Sequence, residues 1–315
     1  MSMHSWAYDQ PTGVYKNHAL SSDIRMAAVA ESCFSMFVSA EAGYGKGKGE
    51  NVTITRISNV EEPTQGRITE LQDIPEDVFS LSTTSITVTE WGRSLPFTSF
   101  AADLAFFDLK SKIQAKLKDQ MRLTMDRAAA AAYKTAKVKA IPDGVASITM
   151  DTDGTPSTAA TVNANLYHVE QIRDYMKTTL HVPAYEGDNY ICLASTKFLR
   201  GIKNDPKWEM WKIHTDPEAK FKGEVGRIEG IVFKEVSNTN CLSGAKGTGG
   251  VLGEAVVFGA DSVTMAVALD PELRAEVPRN FGRFQSVAWY AIMEYGIVWD
   301  TANDGEARIV HVTSS

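Results

Sequence analysis

One stripe of side chains organises this sequence. Across residues 100–139, apolar and small side chains recur at steps of three and four: Phe106, Leu109, Ile113, Leu117, Met121, Thr124, Ala128 and Ala131. That spacing keeps them on one face of a long amphipathic helix. Thr98 and Ser99, just past Pro96, can cap its start, and Asp103 suits the positive end of the helix dipole. Unbroken, the helix would run roughly 55–60 Å at about 1.5 Å per residue, longer than an ordinary domain needs. Its opposite face carries Lys112, Lys116, Lys118, Asp119, Arg122 and Asp126, and the small residues 128–132 let another backbone approach closely. The stretch is expected to be a spine with sheet packed along its stripe.

The rest of the chain must supply that sheet. Residues 51–57 and 84–91 alternate polar and apolar with period two, and a polar insert, 61–77, separates them. Two such strands around a long insert predict an extended ribbon, which is marginal alone in water and should lie on something else. Residues 43–49 (GYGKGKG) fail the phosphate-loop pattern, because Lys48 stands where its second glycine belongs and no hydroxyl residue follows. A hinge is the better reading. Residues 1–19 show no periodicity, and Trp6, Tyr8 and Tyr15 punctuate them. Such an arm is either disordered or pinned on a neighbour by its aromatics.

Beyond the spine, Val162, Leu166, Val169, Ile172, Met176 and Leu180 predict a second amphipathic helix, residues 190–194 a buried strand, and residues 196–203 and 206–213 short helices. Residues 223–236 alternate again, so a compact α/β unit of roughly 120 residues is expected, inserted into the domain that holds the spine. Residues 255–259 and 262–269 read as strands, 270–278 as a linking turn, and 286–299 as a long apolar strand. Residues 307–312 are expected to pair back on that strand, making a terminal hairpin against the spine.

Composition narrows the function. A formal net charge of −7 over 315 residues argues against a tight nucleic-acid-binding surface, although an acidic wall would keep a nearby duplex from sticking. Cys33, Cys192 and Cys241 make neither a disulfide framework nor a CxxC metal site. The amino end has no signal-peptide pattern and no apolar run approaches the ~18 residues of a membrane span, so synthesis and folding in cytosol are expected. None of the six histidines stands at metal-ligand spacing, no G-x-S-x-G elbow occurs, and Cys192 lies inside an apolar strand. His168 reads as packing and His311 as one face of the last strand. The segment 151–154 (DTDG) lacks the closing Glu of a calcium loop and reads as a turn. Trp208, Trp211 and His214 share a helix face that suits packing or subunit contact better than ligand stacking. No catalytic residue, cofactor or metal site is expected.

Several stretches resemble the major capsid proteins of tailed bacteriophages, in the podovirus N-four-type family. They are residues 88–92 (VTEWG) with 96–98 (PFT), 202–208 (IKNDPKW) leading to 223–230 (GEVGRIEG), 269–274 (LDPELR), 282–289, and 304–313 (DGEARIVHVT). Their order is the specific part, and the resemblance spans residues from about 52 to the end. It implies an α+β chain of the Hong Kong 97-like capsid fold. The parts would be an amino-terminal arm at 1–49, an extended β-hairpin loop at 50–98, a peripheral domain with the spine helix at 99–145 and 265–315, and an α/β axial domain at 146–264. It also implies self-assembly into pentamers and hexamers of an icosahedral shell that encloses double-stranded DNA without specific binding. Scaffolding, portal and decoration proteins would be further partners. The place of action would be the virion, assembled in the host bacterial cytoplasm.

Closed rings need head-to-tail contacts, and a ribbon that cannot stand alone gains burial by lying on the next copy. Candidate inter-subunit residues are therefore Glu61, Glu62, Asp73 and Glu76 of the ribbon against Lys112, Lys116 and Arg122 of a neighbour's spine, with Trp6 and Tyr8 on the arm. Three alternatives stand beside this reading: an encapsulin-like nanocompartment shell of the same fold, a soluble α/β enzyme with the Trp208, Trp211 and His214 face as its pocket, and an adhesin or fibre subunit, against which the long central helix and the lack of repeats speak.

Overall fold

In the computed structural model the predicted spine divides in two. The structure describes residues 29–41, 44–45, 47–60, 66–68, 70, 73–105, 108–206, 226–299, 301 and 306–315. Thr98 does cap a helix, its hydroxyl accepting from the Ala101 N–H at 3.1 Å, but that helix, α1, covers only Ser99–Leu104. Asp108 then caps a second one, α2 (Leu109–Lys134), by accepting from the Ser111 N–H at 3.3 Å. Two good N-caps ten residues apart start two helices, and Ala105 between them is extended. The spine proper is α2, 26 residues and about 39 Å long.

α2 packs as expected on sheet, with a drift in the stripe. Leu117, Met125, Ala129, Ala130, Ala132 and Tyr133 are buried, whereas Ala131 is exposed and Thr124 and Ala128 are only partly covered. The core face advances by fours from Leu117, so the second half of the stripe lies one residue later than the spacing predicted. Asp126 is corrected by the same drift: it is buried, not solvent-facing, and its carboxylate accepts from the Ser35 N–H (3.1 Å) and the Cys241 thiol (3.5 Å).

The described strands form three sheets, and the two larger ones pack on α2. The ribbon is β2 (Asn51–Ile57) with β3 (Leu81–Thr87), antiparallel over seven pairs from Asn51↔Thr87 to Ile57↔Leu81. The next strand, β4 (Thr89–Thr98), leaves the ribbon and edges a four-stranded sheet of order β1-β11-β12-β4, where β1 is Ser39–Ala40, β11 Thr264–Ala275 and β12 Phe284–Gly296. β11 runs through the segment predicted as a linking turn. Pro271 is tolerated there because the register slips between Leu269 and Glu272 and frees the ladder bond that proline is unable to make.

The third sheet has seven strands in the order β6-β5-β13-β10-β7-β9-β8. They are β5 (Val138–Gly144), β6 (Ser147–Asp151), β7 (Tyr190–Ser195), β8 (Arg227–Ile228), β9 (Ile231–Val236), β10 (Ala255–Phe258) and β13 (Ile309–Val312). The predicted terminal hairpin is corrected here: β13 pairs with β10 and, in parallel, with β5, not with β12. β13 is buried at all four positions, so a central slot suits it better than the edge of a hairpin.

Alternate residues of this sheet serve two cores. Cys192, Val257 and Val310 face α3 (Leu166–Asp174) and α4 (Thr196–Lys203), while Ile191, Leu193, Val256, Phe258 and Ile309 face α2. Burial on both faces is why β7 and β10 read as unbroken apolar runs. α2 bridges the two larger sheets: Trp289, Ala291 and Met293 of β12 share its core with those residues of the seven-stranded sheet. The buried alanines at its carboxyl end let the sheet approach its backbone.

Candidate assembly surfaces

Among the described residues the ribbon meets the body at its base. Its own small core is Val52 and Ile86 against Ala266, with Tyr44, Ile54 and Val88 partly covered. Beyond that, the Val298 carbonyl accepts from Arg56 Nη1 (2.8 Å) and from the Thr84 hydroxyl (3.2 Å). Gly296 lets Ile86 come close, because a Cβ there would lie 2.7 Å from Ile86 Cγ1. Past Ile57 the described residues of the tip, up to Ser80, lie mostly in solvent: Ile74 is 75 % exposed, Val78 89 %, and Phe79 and Leu81 are also exposed. This is apolar surface that folding does not use. Asp73 and Glu76 stand exposed in the same segment, and no ion pair among the described residues joins either to Lys112 or Arg122. Glu61, Glu62, Trp6 and Tyr8 lie outside the described residues, as do Trp208, Trp211 and His214.

The spine offers a matching surface. Arg122 and Lys118 are exposed on α2 and rim a cavity of about 610 Å³ whose floor is Met121, Met125, Pro271 and Leu273. Lys112 is half-buried one turn before Lys116, which pairs with Asp119 at 3.8 Å. The ribbon tip is apolar and acidic, and this groove is apolar and basic. The groove was not legible in the sequence, since Pro271 and Leu273 reach it only through the unexpected continuation of β11.

A buried polar cluster joins the end of the spine to the seven-stranded sheet. Glu254, just before β10, accepts from Lys134 of α2 (2.9 Å), His311 Nε2 of β13 (2.8 Å) and the Ser243 N–H (2.6 Å). The Lys139 ammonium donates to His311 Nδ1 (3.1 Å) and to the Lys134 carbonyl (2.7 Å). Burial alone would push the Glu254 carboxyl up, but the His311 and Ser243 hydrogen bonds and the cations outweigh it and hold it at about 2. Burial pulls Lys139 down to about 8 against the opposing pull of Glu254, and burial also lowers His311. The sequence signal for this cluster was a Lys and a His inside otherwise apolar strand segments, Lys139 and His311, and a Glu immediately before one, Glu254.

Other groups that could bear chemistry are spent on structure. His168 is buried, with Nδ1 accepting from the Asn165 N–H (3.1 Å) and Nε2 donating to the carbonyls of Gly144 (2.8 Å) and Ser147 (3.2 Å), the packing role predicted for it. Burial pushes the Cys192 thiol up, away from the range of a nucleophile. Residues 152–154 bend away from the end of β6, and Asp151 accepts there from the Ser157 N–H and hydroxyl. Among the described residues, no group of three or more His, Cys, Asp or Glu side chains is placed to hold a metal ion.

No family model matches the sequence, and no curated protein does. Solved structures do match from end to end. The capsid asymmetric unit of cyanophage Pam1 is 12 % identical, with a TM-score of 0.71 over 98 % of this chain and 99 % of that one. The acid-stable capsid structure of Helicobacter pylori bacteriophage KHP30 is 10 % identical, with a TM-score of 0.72 over 99 % of each chain. The capsid of Ralstonia phage GP4 is 16 % identical, with a TM-score of 0.66 over 100 % of this chain and 99 % of that one. With its ribbon, its spine and its two larger sheets, this α+β chain has the fold of the phage capsid subunits, the Hong Kong 97-like fold, over nearly its whole length.

Proposed function

We propose that this chain is the major capsid protein of a tailed bacteriophage and assembles with itself into the pentamers and hexamers of an icosahedral DNA-filled shell. The observation that carries the reading is the ribbon: two strands whose contacts with the body, among the described residues, include a small core at Ala266 and the shared Val298 carbonyl, ending in exposed apolar and acidic residues. A subunit that acts alone has no use for such a projection, and one that completes itself on a neighbour does. Full-length likeness to capsid subunits supports the same reading. It is a structural role, without catalysis, cofactor or metal. The likeness to the N-four type in particular rests on the sequence segments alone.

In this reading Asp73 and Glu76, with Glu61 and Glu62, meet Lys112, Lys116 and Arg122 of the adjacent copy, and Trp6 and Tyr8 dock the arm. Many weak contacts per copy add up through multivalency. The parts are an arm at 1–49, an extended loop from 50, a peripheral domain around α2 and the four-stranded sheet, and an axial domain centred on 146–264. Sheet membership supports giving 89–98 to the peripheral part and 138–144 and 309–312 to the axial part. Assembly takes place in the host bacterial cytoplasm, with scaffolding, portal and decoration proteins as candidate partners.

Negative-stain microscopy of the purified, overexpressed chain tests the proposal. Closed particles are expected from the full chain, and a folded but unassembled subunit from a chain lacking residues 58–76. Normal particles from the deletion would defeat the role given to the ribbon. Particles that enclose non-nucleic cargo in their native host would favour the nanocompartment alternative.

A further inference from the structure

The amino end of α4 carries hydrogen-bond donors that the fold leaves unused. Ser195 stands at its N-cap, where a serine ordinarily accepts from the third helical N–H, here that of Phe198. That bond is not made. The Ser195 side chain is nonetheless buried, at 2 % exposure, and its hydroxyl has no hydrogen-bond partner among the described residues. A buried hydroxyl in this state calls for an explanation, because it has left water without a replacement partner. The first N–H groups of a helix find no partner within it either.

Gly253 sits against both groups. A Cβ there would lie 2.5 Å from Ser195 Oγ and 2.5 Å from the Phe198 nitrogen, so any side chain at this position would press on the two donors. Gly253 does not have a positive φ, so space rather than backbone conformation calls for glycine. The same helix end borders a cavity of about 320 Å³, which Ser195 lines together with Lys197, Arg200, Ser237 and Thr239. Lys197 and Arg200 stand three apart and share one flank of the helix. The Lys197 ammonium donates to the Gly250 carbonyl. Arg200 is exposed and has no ion-pair partner among the described residues. Glu235 stands beside the site, its carboxylate accepting from the Thr196 hydroxyl at 2.6 Å, and the two cations outweigh it.

An unused buried hydroxyl, a helix amino end and two cations around one cavity form the donor set that an oxyanion needs. We propose that this cavity binds a phosphate group, which accepts from the Ser195 hydroxyl and the N–H groups at the start of α4 while Lys197 and Arg200 balance its charge. The site is distinct from the ribbon and the groove on α2 and does not depend on the capsid reading. Two sources share this chemistry, a free phosphate or phosphomonoester and the backbone of a nucleic acid, and the test separates them.

The test is isothermal titration of inorganic phosphate into the full-length chain at constant ionic strength, with Ser195→Ala and Arg200→Glu beside the wild type. Saturable binding is expected from the wild type, weakened at least about tenfold in each variant, the effect of one lost charge-assisted hydrogen bond or one lost cation. Ser195→Ala removes a hydroxyl that bonds to nothing in the unliganded chain, so its Tm without phosphate should not fall. No saturable heat from the wild type, or an affinity unchanged in either variant, would overturn the site. A lower Tm for Ser195→Ala in the absence of phosphate would also overturn it, by showing that the hydroxyl caps the helix. A short DNA duplex titrated against the phosphate-loaded chain then separates the sources: displacement of phosphate assigns the site to a nucleic-acid backbone, and retention assigns it to a free phosphate.

Discussion

Replacing Glu254 by glutamine tests how the spine is fastened to the seven-stranded sheet. The substitution keeps the shape and removes the charge that faces Lys134 and His311. A carboxyl held at about 2 rather than the ordinary 4.5 represents about 3 kcal/mol of stability at neutral pH. Breaking a buried ion pair by removing one partner costs a similar ~3–5 kcal/mol. At about 2.1 cal/mol/K per residue over 315 residues, 3 kcal/mol corresponds to about 5 °C in Tm. The sign follows from the direction of the shift. A depressed carboxyl contributes stability above its unfolded value of 4.5 and loses it as pH falls toward 2. His311, buried and held below its ordinary 6.5, makes its contribution above that pH and loses it on further acidification. Melting of the unassembled wild-type subunit should therefore decline from about pH 6.5 downward, with a further fall below 4.5. The Glu254→Gln variant should start lower at pH 7 and show a smaller lower step, since Asp143 and Glu276 are also held low. An unchanged Tm at pH 7, or an unchanged acid profile, would show that Glu254 does not fasten the spine.

Two further substitutions probe the ribbon. Gly296→Ala would place a Cβ 2.7 and 2.8 Å from Ile86 Cγ1 and Cδ1, so Ile86 must turn and its small core must loosen. A cost of about 1–3 kcal/mol is expected by thermal melt, with faster proteolysis near the base of the ribbon. Reversing the groove charges with Lys118→Glu and Arg122→Glu should abolish assembly, and adding Glu76→Lys and Asp77→Lys should restore it. Light scattering reads both, and assembly of the first variant at wild-type yield contradicts the docking of ribbon on spine.

Periodicity made the long elements legible. The stripe from Leu109 onward, the alternation in 51–57, and the Leu166-to-Leu180 spacing each carry one dominant physical signal. Competition between signals hid the rest. Asp108 outcompetes helix continuation after Leu104, and the sequence shows two good caps without saying that both are used. Pro271 reads as a turn because local propensity does not see the register slip that accommodates it. β13 looks like a hairpin partner of the neighbouring strand, yet its slot between β10 and β5 is set by burial on both faces, a long-range property. Of the candidate contact residues, the exposed Asp73, Glu76 and Arg122 could be chosen from polarity alone. The groove floor and the Glu254 cluster depend on which distant elements meet.

In an assembled particle the ribbon is expected to find its burial on another copy. A cryo-electron microscopy map of such particles, resolved well enough to trace residues 58–80, tests this. Ile74, Val78 and Phe79 of one copy should lie against α2 of the next, with Asp73, Glu76 and Asp77 beside Lys118 and Arg122. A ribbon folded onto its own body, or standing free in solvent within a closed shell, would contradict it.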